Sequence, residues 1–176
     1  MKTSNTTHQK GFTLVEIAIV LVIIGLLLGG VLKGQELIAN AKVKNVNNDA
    51  QGIIAAMLTY QDRYGVLPGD GNGDGKLKDN DSGSFFKDLR DAGLLKGEGN
   101  TFPTHSYGGT IKLDENAYKN AQGNNLCFMG LPREAADILD RQNDNGNPSS
   151  GSIQSDNAAT TYTVDGKTTY DLCYKL

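Results

Sequence analysis

From Phe12 to Leu32 the chain is apolar except for Thr13, the glycines and Glu16. As a helix, these 21 residues measure about 30 Å, the thickness of one hydrocarbon core. After Lys33 the pattern changes. Val43, Val46, Ala50, Ile53, Met57 and Tyr64 recur at steps of three, four or seven, while Lys42, Lys44, Asn48, Asp49 and Gln51 fall off that stripe. Such spacing predicts an amphipathic helix with one buried face. No proline intervenes until Pro68, so one helix is expected from Phe12 to about Tyr64, roughly 80 Å long at the helical rise. Its first half is apolar all round and its second half offers a single face to a core. Gly65 and Pro68, in "GVLPGD", end it.

The rest of the chain alternates short elements with glycine-rich connections. Ser84 to Lys96 reads as a helix with Phe85, Leu89 and Ala92 on one side. "GGTIKLD" and "NLCFMG" read as strands. Pro132 suits the first turn of a helix running through Leu139, with Ala135 and Leu139 one turn apart. "LDRQNDNGNPSSGSIQ" is a loop by composition. "TTYTV" and "KTTYDLCYKL" flank Asp165-Gly166, the signature of a hairpin with a type I′ turn. A long helix packed on a small antiparallel sheet is an α+β fold.

Composition narrows the function classes. The chain has 176 residues, enough for one compact domain plus an N-terminal segment. Its net charge of -3 offers no footprint for nucleic acid. No nucleophile–base set stands out and no phosphate-binding glycine motif is present, so the sequence does not point to an enzyme. Of the two histidines, His8 precedes the apolar run, and His105, alone in "FPTHSYGG", is expected to be exposed. Cys127 and Cys173 are too few for a tetrahedral zinc site. In an exported domain they would form one disulfide, the alternative being two buried free thiols.

Glu16 is the anomaly. The apolar run is longer than the h-region of a secretory signal and has no small-residue cleavage site after it. A plain signal anchor would leave Glu16 unexplained, because a charge near the bilayer centre costs about 2.5–3.5 kcal/mol. A cut between Gly11 and Phe12 changes this. It creates an α-amine on Phe12, and Glu16 then lies one turn inside the new N-terminus, where the helix dipole favours an anion. On this reading Glu16 acquires a partner only after cleavage.

"KGFTLVEIAIVLVIIGLLLGG" resembles the N-terminus of type IV prepilins and type II secretion pseudopilins. The resemblance implies that a prepilin peptidase cuts after Gly11, that Phe12 is N-methylated, and that Glu16 is needed for filament assembly by meeting a Phe12 amine. It implies a pilin-like α+β architecture in three parts: a leader (1–11), a transmembrane and filament-core helix (12–32), and a globular domain (33–176). It implies as partners copies of the chain or related pilins, the peptidase, inner-membrane assembly machinery and, before assembly, lipid. The protein would sit in the inner membrane with Lys2 and Lys10 on the cytoplasmic side, then join a periplasmic or extracellular filament. Many major pilins carry a proline about twenty residues into the mature helix; here the neighbourhood reads "GGVLKGQ". The expected function is therefore a subunit of a type IV pilus or related filament, with a secretion pseudopilin as the alternative. A membrane-anchored calcium-binding module that never polymerises is the alternative of another class. Many type IV pilins also close a carboxy-terminal loop with a cysteine pair, which points to Cys127 and Cys173.

One further motif concerns metal. "DGNGDGKLKDND", residues 70 to 81, follows the EF-hand loop at most positions. Asp70, Asn72 and Asp74 take positions 1, 3 and 5, Gly75 the turn, Lys76 the backbone carbonyl position, and Asp81 the last position, where glutamate is usual. It resembles the shorter loops of dockerins. Calcium is thus an expected ligand, against a plain turn rich in Asp-Gly pairs. The later stretch from Asp140 to Asp156, with Asp144, has no motif spacing and reads as a solvated loop.

Overall fold

The structure, a computed structural model, describes residues 13–77, 82–118, 121–156, 161–162 and 169–176. In chain order the elements are α1 (Leu14–Tyr64), α2 (Ser82–Asp91), β1 (Ile111–Glu115), β2 (Asn124–Pro132), α3 (Arg133–Asn143), β3 (Ile153–Ser155) and β4 (Thr169–Lys175). The strands form one antiparallel sheet in the order β1-β2-β4-β3. The fold is α+β, with the long N-terminal helix and small antiparallel sheet expected of a pilin-like chain.

The chain divides into two compact units, Met1–Asn40 and Ala41–Leu176. In the second unit, α1 buries Val43, Val46, Ala50, Ile53, Ala56 and Met57. Five of these six are on the stripe read from the sequence. Tyr64 is not buried: its side chain is exposed and its ring lies 4.4 Å from that of Tyr60, at the end of the helix. The sheet contributes Ile111, Leu113, Leu126, Phe128, Leu131, Ile153, Tyr170 and Leu172 to the same core. Alternation along each strand puts these on one face.

α2 starts two residues before the expected Ser84 and stops at Asp91 rather than Lys96. Gly93 adopts φ 71°. Its N–H donates to Arg90 O and the Leu94 N–H to Leu89 O, which is a Schellman motif ending the helix. α3 runs one turn beyond Leu139, and β3 emerges inside the stretch read as loop. A register shift interrupts β2 between Phe128 and Leu131. There Gly130, at φ 73°, donates its N–H to Asp171 Oδ1 at 2.7 Å. β4 is a strand as expected, paired with β2 and β3. The Asp165-Gly166 turn and most of its upstream strand lie outside the described residues.

Candidate functional site

The helix α1 begins immediately after Thr13. The Thr13 N–H and hydroxyl both donate to Glu16 Oε2, each at 2.8 Å, and the Glu16 N–H donates back to Thr13 Oγ1 at 3.3 Å. This is a capping box, in which two otherwise unpaired backbone donors at a helix start are satisfied reciprocally. It corrects the expectation that Glu16 lacks a partner until the chain is cut. The signal was present, since Thr13-Leu14-Val15-Glu16 before an apolar run is the T-x-x-E pattern. Gly11 and Phe12 lie outside the described residues.

Beyond the cap, α1 presents apolar side chains on every side. Leu14, Leu26 and Leu32 are 91%, 73% and 67% exposed, and Leu37 and Ile38 continue the surface. A contiguous apolar surface of this size is expelled from water and is covered by lipid or by other helices. The helix is long and apolar enough to cross a membrane. Glu16 is the only acidic or basic residue between Thr13 and Leu32.

The acidic loop is organised by its own carboxylates. Asp70 accepts from the Asp74 N–H (3.1 Å) and the Gly75 N–H (2.8 Å), and Asp74 accepts from the Lys76 N–H at 2.9 Å. Asn72 Nδ2 donates to Asp74 Oδ2 at 2.9 Å. The loop is fastened to the sheet from its far end. Asn124 accepts from the Leu77 N–H (2.8 Å) and donates to Gly75 O (2.9 Å), while Lys76 Nζ lies 3.2 Å from Glu115. Leu77 is fully buried and anchors this end. Asp81 lies outside the described residues. Among the described residues no three His, Cys, Asp or Glu side chains are grouped to hold a metal.

Cys127 on β2 and Cys173 on β4 face each other directly in the ladder and form a disulfide. It lies on the face of the sheet away from Leu126, Phe128 and Leu172. There it helps line a cavity of about 250 Å³ together with Lys112, Asp114, Tyr118 and Asp171. The Tyr118 hydroxyl donates to Asp171 O at 3.0 Å. Burial, reinforced by the charges of Asp156, Asp171 and Asp114, pushes the Tyr118 phenol far above its ordinary range.

Two side chains differ from their sequence reading. His105 is 4% exposed rather than on the surface. Its Nε2–H donates to Met129 O at 2.9 Å and its Nδ1 lies 3.3 Å from the Tyr107 N, so it fastens the 101–110 segment to β2. Asp140 is fully buried rather than solvated. It accepts from the Tyr162 hydroxyl and the Gly146 N–H, both at 2.9 Å. Nearby, Asp144 accepts from the Ile153 N–H at 3.0 Å. The late acidic stretch is therefore folded around two of its carboxylates. Spacing alone could not reveal this, because the donors come from residues 146, 153 and 162.

Comparison with curated proteins and with solved structures finds no match. Residues 6–32 match the family model of the prokaryotic N-terminal methylation motif, so the stretch holding Gly11, Phe12 and Glu16 is a prepilin-type cleavage and methylation segment.

Proposed function

We propose that this chain is a structural subunit of a type IV pilus or related filament, cut after Gly11, methylated on Phe12 and assembled through α1. The observation that carries this reading is the methylation motif at residues 6–32, continuous with a helix whose apolar surface is exposed through Ile38. Motif and helix together fit anchoring in the membrane before assembly. Processing keeps Thr13 and Glu16 and places an amine one residue ahead of the cap. Glu16 Oε2 is already held by Thr13, so an incoming amine from a neighbouring subunit would meet a carboxylate that is oriented in advance.

The mature N-terminus tests the reading directly. Mass spectrometry of the native protein is expected to give Phe12, bearing one methyl group, as the first residue. An N-terminus elsewhere, or uncut chain in the membrane fraction, would favour a non-polymerising anchored module. Glu16→Ala should stay membrane-bound and processed but yield few sheared filaments. Recovery in surface shears separates a pilus subunit from a pseudopilin, whose loss would instead block secretion.

Calcium belongs to the same proposal on the spacing of Asp70, Asn72, Asp74, Lys76 and Asp81. Lys76 would contribute its backbone carbonyl, and affinity on the order of 10⁻⁴–10⁻³ M suits an extracellular module. Titration calorimetry of the full chain in detergent checks this; no heat at millimolar calcium rejects the site.

A further inference from the structure

Asp49 is a half-buried carboxylate on the part of α1 that belongs to the core domain. Among the described residues it makes no hydrogen bond and no ion pair. It lines a groove of about 190 Å³ with Asn48, Gly52, Ile53, Leu95 and Pro103. Partial desolvation of a carboxylate is a cost to the isolated fold: burial raises the pKa of Asp49, and the charge of His105 offsets that only in part. The groove's composition says what would relieve that cost. Ile53, Leu95, Pro103 and Ile111 supply apolar walls, and Asp49 supplies one negative charge. That combination matches a lysine, whose methylene stem covers apolar surface while its ammonium seeks a carboxylate.

The chain carries lysines suited to the role. Lys44, Lys96 and Lys175 are exposed and form no ion pair among the described residues. In contrast, Lys33, Lys76 and Lys87 already pair with Glu36, Glu115 and Asp91. In a filament of identical subunits each contact joins two different patches, so a groove on one copy meets a protruding group on the next. We infer that the Asp49 groove is an intersubunit socket that receives an exposed lysine from a second copy of this chain. This inference rests on the filament reading and adds the contact that would fix neighbouring globular domains.

The test uses full-length processed chain, with isotopically light and heavy copies mixed before assembly. A water-soluble carbodiimide, which joins carboxylate to amine only in contact, is expected to link Asp49 to Lys44, Lys96 or Lys175 across a light–heavy pair. Asp49→Asn and Asp49→Lys should lower sheared filament yield about tenfold or more, with Asp49→Glu retaining assembly. Gly52→Leu provides a second variant. A Cβ there meets nothing within 4 Å in the fold, so the substitution is tolerated at the backbone and its longer side chain would fill the groove without removing the charge. Wild-type yields from these variants, with no cross-link, would overturn the socket and leave the filament reading intact. A cross-link without filaments would uphold the contact and remove the filament. Lost assembly without any Asp49–lysine link would overturn the lysine assignment.

Discussion

Two residues carry constraints that their own sequence neighbourhoods conceal. Gly109 packs so closely on β2 that a Cβ would lie 1.8 Å from Met129 O and 2.5 Å from His105 Nε2. Backbone cannot yield that far, so Gly109→Ala must push the 101–110 segment off the sheet and break the His105–Met129 bond. The expected cost is about 3 kcal/mol or more, read as a lower urea midpoint at unchanged slope. Asp140 sets a pH dependence. Burial raises its pKa above the ordinary 3.8, assisted by the charges of Asp144 and Asp137 and opposed by the bonds from Tyr162 and Gly146. The folded state therefore holds this proton more tightly than the unfolded state, and stability falls as pH rises from about 3.8 through the raised folded value. Asp49, raised by burial, adds in the same sense. Asp140→Asn can still accept from Gly146 and can donate to the Tyr162 oxygen, so it should flatten that slope. Denaturant midpoints of wild type and variant across mildly acidic pH measure the difference.

At the scale of elements, the sheet depends on one covalent tie. β4 is joined to β2 by the disulfide and to β3 by three paired positions. The bridge closes a span of 46 residues, worth about 4 kcal/mol on the chain-entropy model. Replacing both cysteines by alanine should lower stability by that order and first release the amides of Thr169–Lys175 to hydrogen exchange. Equal protection in variant and wild type would show that core packing of Tyr170, Leu172 and Tyr174 suffices. The elements also show what a sequence can disclose. α1 was legible because an apolar run leads without a proline into a stripe of helical period, and β1 and β2 because each is a short apolar stretch bounded by glycine or asparagine. The end of α2 was missed because the stop lies in Gly93, whose positive φ acts only together with the Leu94–Leu89 bond. β3 was missed because its three residues, Ile153–Ser155, are too few for a period. The cap on Glu16 is present in the sequence as T-x-x-E, although the sequence reading gives Glu16 no partner before cleavage. The burial of His105 and Asp140 was not legible, because their partners are distant in sequence.

For the molecule as a whole, the two units answer to different surroundings. Among the described residues, every member of the hydrophobic core, from Val43 to Tyr174, lies in Ala41–Leu176. None comes from the apolar half of α1, whose side chains are exposed. The second half of α1 is held by six buried residues, so it does not depend on the upstream turns for its helicity. A chain beginning at Ala41 should therefore fold by itself, stay in aqueous solution without detergent, and melt with the same midpoint as full-length protein in micelles. It should also lose all partition into membranes, because the surface that demands lipid or other helices has been removed. Differential scanning calorimetry of both chains, with flotation on liposomes, measures both halves of this expectation. A broad, uncooperative transition in the shortened chain would mean that residues before Ala41 contribute to the core fold. Residual flotation would place a second lipid-seeking surface within Ala41–Leu176.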